Sequence, residues 1–260
     1  MLPEHGERAT MKSMYQMDES IPRPCGGGGR RIAFFGGSFD PPHLGHLAVA
    51  RAARAALGLD LVLFAPVGAQ PLKAQGSTAS FEDRVAMTRL AVDGEAWFGI
   101  SAVDAPKPDG TPNYTFETLQ ELREGLPPDS ELFCLMGADS FVGLRQWHRA
   151  AEIPFVAQLV VAARPGERLD GLAALLPTGL GMEPGSGESE TRAGVEVRCY
   201  FLVNDAGVRA PFYLLPGLDM KISASEIRSQ IRAAKGGLAE GHELLPDAVS
   251  DYLKSHDLYC

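Results

Sequence analysis

Short apolar runs alternate along the chain with longer stretches in which apolar residues follow helical spacing. Buried strands are predicted at residues 32–35, 61–65, 132–136, 159–163, 197–203 and 212–215. Amphipathic helices are predicted at 44–55 and at about 81–92, 115–124 and 140–149, with two more beginning near Ser223 and Pro246. The alternation of strand and helix predicts an α/β fold, in which helices cover both faces of a doubly wound parallel sheet.

The same pattern separates a leader from one domain. Residues 1–30 are polar and end in two prolines and a run of glycines, so we expect a flexible leader that buries little surface. Residues 31–260 are expected to form a single domain, and no internal repeat divides them. A segment at about 167–195 is rich in Gly, Pro, Glu and Ser, and we expect a mobile insertion there rather than a second domain.

Composition narrows the range of partners. The 260 residues include 33 Asp and Glu but 24 Lys and Arg, and the formal net charge of -9 argues against a broad nucleic-acid-binding face or a surface for anionic membranes. No stretch approaches the roughly 18 to 20 apolar residues of a membrane helix. The four cysteines form no CxxC pair, which fits a reducing cytoplasm and indicates neither a zinc knuckle nor a disulfide framework. We therefore expect a cytoplasmic protein, and a homo-oligomer is compatible with the sequence.

The segment GGSFDPPHLGH, which begins at Gly36, lies where the first predicted strand ends and the first predicted helix begins. Backbone amides and a helix N-terminus converge at such a junction and create a site for anions. Gly36 and Gly37 let a phosphate approach the backbone closely, and Asp40 before two prolines is expected to cap the helix. His43 and His46 are three residues apart, so both rings are expected on one face of the first turn, where they can donate hydrogen bonds to phosphates.

Two other interpretations of this histidine pair stay open. The rings could bind a metal ion, but Asp40 has a competing role as a cap and no third ligand follows at a standard spacing. The pair could also be core histidines in an ordinary turn, which is the commoner situation for a lone histidine. Two histidines, two glycines and a strand-to-helix junction coincide here, and this coincidence favours the phosphate site.

GGSFDPPHLGH resembles the GG-x-FDP-x-H-x-GH signature of the nucleotidyltransferase superfamily, which is a long and specific motif. The resemblance implies a Rossmann-like sheet of the nucleotidyltransferase type with an ATP phosphate site. The residues that it assigns to ATP are Gly36, Gly37, Ser38, Phe39, His43 and His46.

A second segment, ISASEIR, has the pattern of a helix start, with Ser223 and Glu226 spaced as in a capping box. It also resembles the ISST-x-IR element of the same superfamily, which implies that Ser223, Ser225 and Arg228 hold the triphosphate. Ala224 replaces the usual second serine and removes one hydroxyl group. The two interpretations are compatible, because a capped helix N-terminus also binds phosphate.

Further motifs resemble, in order and approximate spacing, those of the bacterial nicotinate-mononucleotide adenylyltransferases. The chain carries P-x-x-x-x-P-x-K at 66–73, a variant of PSYT-x-[DE]TL at 112–119, MGADS at 136–140, L-x-x-W at 144–147, ARPG at 163–166 and LP-x-x-V-x-x-Y at 245–252. It departs from the usual pattern at Asn113, where the family has serine, and at His148, where an aromatic residue is common. The resemblance covers about 31–260.

This second resemblance implies a mononucleotide pocket in which the nicotinate ring stacks on Trp147 and its carboxylate lies near Tyr114 and Thr115. The residues assigned to the mononucleotide are Lys73, Tyr114, Thr115, Trp147 and Arg164, and Gly137 and Asp139 join the ATP site, with Asp139 at a ribose. Each also has an ordinary explanation, since a lone lysine is usually solvated and a tryptophan usually packs in a core.

The resemblance implies direct adenylyl transfer from ATP to nicotinate mononucleotide in NAD synthesis, with His43, His46 and Arg228 as catalytic residues. A phosphate monoester has a second pKa of about 6, so it is largely an anion near neutral pH and requires no general base. We expect Mg²⁺ to arrive with ATP, without dedicated protein ligands.

Other functions stay open at this point. A transferase with the same ATP half-site could act on phosphopantetheine or nicotinamide mononucleotide, although the motifs at 112–119 and 136–147 argue against it. A nucleotide-binding regulator could keep the fold and lack turnover. A Rossmann dehydrogenase is poorly supported, because the first turn lacks G-x-G-x-x-G.

Overall fold

The computed structural model describes residues 29–72, 76–163, 171–185, 189–218, 222–233 and 242–260. Strands in these ranges are β1 (Arg31–Gly37), β2 (Leu61–Pro66), β3 (Phe98–Ile100), β4 (Glu131–Gly137), β5 (Gln158–Ala162), β6 (Leu180–Pro184), β7 (Glu190–Arg192), β8 (Val195–Asn204) and β9 (Arg209–Leu215). Their order across the sheet is β3-β2-β1-β4-β5-β9-β8-β6, and β7 pairs with β8. The pairs from β3 to β9 are parallel, which confirms the predicted α/β fold.

The helices in the described ranges are α1 (Leu44–Leu57), α2 (Phe81–Val92), α3 (Thr115–Gly125), α4 (Ala138–Val142), α5 (Ile153–Val156), α6 (Leu172–Leu175), α7 (Ala224–Ala233) and α8 (Asp247–Ser255). Short 3-10 helices lie at Leu144–Gln146 and His242–Leu244. No helix in these parts of the chain is long and apolar enough to cross a membrane.

Both faces of the parallel sheet are buried, as the continuous apolar runs predict. On one face Ile32 and Phe34 of β1 pack in a cluster that includes residues of α3, α4 and α5. On the other face Ala33 and Phe35 pack in a cluster with residues of α1. This alternation follows from the two-residue repeat of a strand. A third cluster, with Met87, joins α2, α7 and α8 beside the sheet.

One edge of the sheet is antiparallel, which the sequence did not predict. β8 pairs antiparallel with β9, β6 and β7. Only four residues separate β8 from β9, and such a short connection cannot produce a parallel pair. Asn204 stabilises this turn, because its Oδ1 accepts hydrogen bonds from the backbone N–H groups of Ala206 and Val208 at 3.1 and 2.9 Å.

The predicted helix at 140–149 was also wrong in length. α4 begins earlier, at Ala138, and ends at Val142; the N–H of the next residue, Gly143, donates back to carbonyls of the helix. The 3-10 helix at Leu144–Gln146 follows, and Trp147 then has extended backbone. The interruption places Trp147 outside a regular helix.

The segment expected to be an insertion at about 167–195 is described at 171–185 and 189–195. These residues form α6, β6 and β7, and the two strands extend the antiparallel edge of the sheet. The sequence did not predict these strands, because none of their residues is fully buried and they lack a continuous apolar run. The predicted leader lies outside the described residues up to position 28.

Candidate active site

A cavity of about 610 Å³ opens at the carboxyl ends of the parallel strands. Gly36 and Gly37 at the end of β1 line it, as do Met136 and Gly137 at the end of β4. β1 and β4 are neighbours, and the chain continues from β1 to β2 on one side and from β4 to β5 on the other. This reversal of strand order is where open α/β sheets bind ligands.

Several helices begin at the cavity. His43 and Gly45 at the start of α1, Tyr114 at the start of α3, Ala138 at the start of α4 and Ala224 at the start of α7 all line it. The free backbone N–H groups and the positive end of the helix dipole therefore lie around one space. Such an arrangement suits a ligand with several negative charges.

The stacked rings of His43 and His46 lie in the cavity wall, as the sequence predicted. Their centroids are 3.7 Å apart at an interplanar angle of 26°. The backbone N–H of His43 donates to Nδ1 of His46 at 3.1 Å, so the neutral His46 ring carries its proton on Nε2. Burial, with a smaller effect of His43, lowers the pKa of His46 well below its ordinary value. His46 is therefore a neutral hydrogen-bond donor near pH 7.

The lowered pKa of His46 predicts a specific dependence of stability on pH. Below about pH 6.5 the unfolded chain binds a proton at this residue and the folded protein does not, so the free energy of unfolding falls as the pH decreases. Relative to that of His46→Gln, the free energy of unfolding of the wild type should fall by up to about 1.4 kcal/mol per pH unit below pH 6.5, until the native pKa of His46 is reached. Urea unfolding of both proteins between about pH 7.5 and 5.5 measures this difference. A constant difference would contradict a lowered pKa.

Gly45 leaves the space that the neighbouring His43 ring occupies. A Cβ atom at Gly45 would lie 2.9 Å from Nδ1 of His43 and 3.0 Å from Cε1, which is closer than real contacts allow. The glycine in the motif is therefore a steric requirement of the neighbouring ring.

We expect Gly45→Ala to displace the His43 ring and to lower kcat of adenylyl transfer about tenfold, since small displacements of catalytic groups are costly. Alanine favours the helix, so the free energy of unfolding should change little. Steady-state kinetics and thermal unfolding test both statements. Gly181→Ala is the control, because a Cβ there has 3.8 Å to its nearest neighbour, Val203 O. Equal kcat in the two variants would contradict this role of Gly45.

Asp40 does not cap α1, contrary to expectation, because His43 is the N-cap residue. The Asp40 carboxylate is buried and accepts hydrogen bonds from the N–H groups of Thr78 and Ala79 at 2.7 and 3.0 Å. The loop between β1 and α1, which is the predicted phosphate loop, is thereby connected to the segment before α2. Arg84 of α2 adds a second tie, since its Nη1 donates to Ser38 O at 2.8 Å.

The residues at the start of α7 also line the cavity. Ser223 and Ser225 line it, and their hydroxyl oxygens are 2.7 Å apart. Arg228 also lines the cavity, and its Nη1 donates to the backbone carbonyl of Asp40 at 2.6 Å. The ISASEIR segment and the GGSFDPPHLGH segment therefore meet in space, although 188 residues separate Asp40 from Arg228.

Aromatic side chains surround the opposite end of the cavity. Trp147 is partly buried against the core and lines the cavity together with Tyr114 and His148. The rings of Tyr114 and His148 are 4.8 Å apart, and Nε2 of His148 lies 3.1 Å from Oε1 of Glu117. His148, the departure from the family pattern, thus stands beside Tyr114 at the pocket wall.

Comparison with known proteins agrees with this geometry. Residues 34–230 match the family described as cytidylyltransferase-like. A nicotinate-nucleotide adenylyltransferase of Gloeobacter violaceus is 35% identical over 231 residues, which cover 89% of this chain and 97% of the relative. One from Solibacter usitatus is 33% identical over 230 residues, covering 88% and 99%. The chain belongs to the nicotinate-nucleotide adenylyltransferase family.

A solved structure has the same fold. The Plasmodium falciparum nicotinic acid mononucleotide adenylyltransferase complexed with NaAD superposes with a TM-score of 0.62. The match covers 88% of this chain and 97% of that chain at 15% sequence identity. The nucleotidyltransferase type of sheet is confirmed.

The cavity brings together the predicted site residues that the structure describes. They are Gly36, Gly37, Ser38, Phe39, His43, His46, Tyr114, Thr115, Gly137, Asp139, Trp147, Ser223, Ser225 and Arg228. Lys73 and Arg164 lie outside the described residues. The Phe39 ring is 1% exposed and lies 5.0 Å from the His46 ring, so it packs behind the histidine.

Asn113, the other departure from the family pattern, connects two loops of the pocket. Its Oδ1 accepts from the N–H of Ala69 at 3.1 Å, and its Nδ2 donates to Ala105 O at 3.0 Å. Gly68 N donates to Asp104 O at 2.6 Å, and a Cβ at Gly68 would lie 2.4 Å from Pro106 N. A serine side chain is too short to make both contacts of Asn113.

Asp104 and Arg84 are site residues that sequence reasoning missed. Asp104 lines the cavity and accepts a hydrogen bond from the Thr118 hydroxyl, and burial raises its pKa to about 6. Arg84 is 2% exposed, and a buried arginine needs partners that are distant in sequence. Asp104 lies between the apolar residues Val103 and Ala105, which was the available signal for it, whereas Arg84 directly follows two acidic residues and gave no such signal.

Proposed function

We propose that the protein transfers the adenylyl group of ATP to nicotinate mononucleotide, which yields nicotinate adenine dinucleotide and pyrophosphate in NAD synthesis. The observation that carries the proposal is one cavity with two unlike ends. One end has stacked His43 and His46 with Arg228 among helix N-termini, and the other has Trp147 and Tyr114 at the start of α3. A triphosphate and an aromatic acid fit these two ends.

At the first end the ATP phosphates lie against the loop after β1 and the start of α7. The 5'-phosphate oxygen of the mononucleotide attacks the α-phosphorus of ATP, a new P–O bond forms, and the bond to the β-phosphate oxygen breaks. No protein nucleophile takes part, because the attacking phosphate is already an anion near neutral pH. Catalysis then consists of positioning two polyanions and stabilising the charge that develops.

The side chains at the ATP end have separate roles in positioning the substrates and stabilising charge. Nε2 of neutral His46 donates a hydrogen bond to a phosphate oxygen, and His43 lies stacked beside it in the same wall. The Arg228 guanidinium supplies a fixed positive charge at the triphosphate. Ser223 and Ser225 offer hydroxyl groups, and Asp139 at the start of α4 is placed to contact a ribose. We assign Lys73 to the mononucleotide phosphate on the resemblance alone.

Magnesium enters this reaction as part of the MgATP substrate. In the described ranges no group of three or more His, Cys, Asp or Glu side chains could hold a metal ion. The Asp40 carboxylate, which lies in the phosphate loop, is occupied by two backbone N–H groups and a tyrosine hydroxyl. The residues present therefore fit an ion that is coordinated by the triphosphate, which reduces the repulsion between the two substrates.

At the second end the nicotinate ring stacks on Trp147, and its carboxylate meets the backbone N–H groups at the start of α3. Thr115 begins α3 and adds a hydroxyl group. A site that donates hydrogen bonds to a carboxylate disfavours the amide, because an amide presents its own N–H groups to the same donors. The proposed substrate is therefore the acid rather than nicotinamide mononucleotide.

Pyrophosphate release tests the proposal, with ATP, Mg²⁺ and each of three acceptors: nicotinate mononucleotide, nicotinamide mononucleotide and phosphopantetheine. We expect release with the nicotinate substrate at a far higher kcat/KM than with the other two. Release with phosphopantetheine alone would keep the ATP site and overturn the proposed acceptor. ATP binding without release from any acceptor would indicate a regulator.

A further inference from the structure

Tyr259 is buried close to the phosphate loop without lining the cavity. Its side chain is 6% exposed, and its hydroxyl donates to Oδ1 of Asp40 at 2.7 Å. The two residues are 219 positions apart, so the contact joins the last described segment to the GGSFDPPHLGH segment. The cavity wall includes Asp40 and does not include Tyr259 among its described residues.

Asp40 links this hydroxyl to groups at the ATP end. Its backbone carbonyl accepts the hydrogen bond of Arg228 Nη1, and its Oδ2 lies 3.8 Å from the same nitrogen. Two residues before it, Ser38 lines the cavity, and three residues after it His43 is the N-cap residue of α1. Any movement of Asp40 therefore moves the loop and the guanidinium together.

The backbone on both sides of the contact is constrained. Phe39 has φ of 47° and Tyr259 has φ of 67°, although neither is glycine. Bulky side chains seldom adopt this left-handed region, and they keep it only where the surrounding contacts fix the chain. Both side chains are buried, which supplies those contacts.

Because the Tyr259 hydroxyl is buried, its hydrogen bond to Asp40 is strong. The carboxylate is 4% exposed, so water cannot easily replace the tyrosine as a donor. Burial, followed by the hydrogen bond to the Asp40 carboxylate, raises the pKa of Tyr259 far above its ordinary value, so the hydroxyl stays protonated and donates at all working pH values.

We propose that Tyr259 is a positioning residue for ATP: its hydroxyl fixes Asp40, and Asp40 in turn holds the phosphate loop and Arg228 in place. The inference rests on the proposed function for its effect on turnover, but its effect on ATP binding is independent of the acceptor. Tyr259 acts at the ATP end because its partner Asp40 lies in the loop after β1 and accepts the hydrogen bond of Arg228. Trp147 and Tyr114 line the other end of the cavity.

Tyr259→Phe removes this hydroxyl and keeps the ring. We expect ATP to bind about tenfold more weakly in calorimetry without acceptor, and KM for ATP to rise in parallel, because a hydrogen bond to a buried charged group is lost. KM for nicotinate mononucleotide should stay close to that of the wild type. A rise in KM for ATP without a rise in KM for nicotinate mononucleotide distinguishes a positioning role from general damage to the fold.

Tyr252→Phe is a matched control. The Tyr252 hydroxyl also donates to a carboxylate, Oδ1 of Asp83 at 3.0 Å, and neither residue lines the cavity. We expect its ATP affinity to equal that of the wild type, even where thermal unfolding shows the same loss of stability as Tyr259→Phe. Both variants are measured well below the lower of their unfolding temperatures.

Equal ATP affinity in Tyr259→Phe, Tyr252→Phe and the wild type would overturn the inference. A parallel rise in KM for both substrates of Tyr259→Phe would overturn it as well, because that result indicates a general structural defect. A wild type that binds ATP and releases no pyrophosphate would instead contradict the proposed function, and the calorimetric comparison would still decide the role of Tyr259.

Discussion

His46→Ala is expected to lower kcat of adenylyl transfer about 100- to 1,000-fold, which is the usual cost of removing one donor to developing charge. The hydrogen bond from His43 N to Nδ1 leaves Nε2 as the protonated nitrogen, and the lowered pKa keeps the ring neutral. The donor is therefore present throughout the working pH range. Because its main effect falls on the transition state, KM for ATP should change far less than kcat.

Steady-state kinetics with varied ATP separate these two parameters for His46→Ala. His256→Ala is the control, since His256 is exposed, stacks on Tyr252 at 3.9 Å and is not among the residues of the cavity wall. It should have wild-type kcat. If His46→Ala turns over as fast as His256→Ala, His46 is not the donor, and the phosphate role of the histidine pair would have to be abandoned.

Trp147→Ala is expected to raise KM for nicotinate mononucleotide about 10- to 100-fold, because stacking of a base on an aromatic side chain contributes about 1–3 kcal/mol. The nicotinate ring is positively charged at its nitrogen, which strengthens its contact with an indole face. KM for ATP should remain near the wild-type value, since the proposed site of the ATP phosphates is at the other end of the cavity.

The sequence has one other tryptophan, and it provides the control. Trp97 is 43% exposed, with the Arg54 guanidinium 4.2 Å from its ring, and it does not line the cavity. Trp97→Ala should leave both KM values unchanged. An unchanged KM for the mononucleotide in Trp147→Ala would assign Trp147 to the core cluster that it also contacts.

The parallel half of the sheet could be predicted because its strands are buried on both faces. β1, β2, β4 and β5 each carry a continuous apolar run, which is a local signal. β3 has three residues and falls below the length at which a pattern can be recognised. β6 and β7 have no fully buried residue, so their pairing with β8 depends on the tertiary fold.

The candidate site was predictable where its residues are close together in the sequence. The histidines and glycines of the phosphate loop share one junction, and the resemblance to a family extended the site to Trp147 and Arg228. The partners of Asp40 could not be predicted, because Thr78, Ala79 and Tyr259 reach it from 38 to 219 positions away. Asp40 was accordingly expected to cap a helix, although its carboxylate holds the loop.

A competition experiment tests the central claim most directly. Nicotinate mononucleotide and nicotinamide mononucleotide are supplied together at equal concentration with ATP and Mg²⁺, and mass spectrometry measures the ratio of the two dinucleotides formed. This ratio equals the ratio of the two kcat/KM values. Our account predicts nicotinate adenine dinucleotide in large excess, with one pyrophosphate released per dinucleotide. Equal amounts of the two products, or an excess of the amide product, would contradict it.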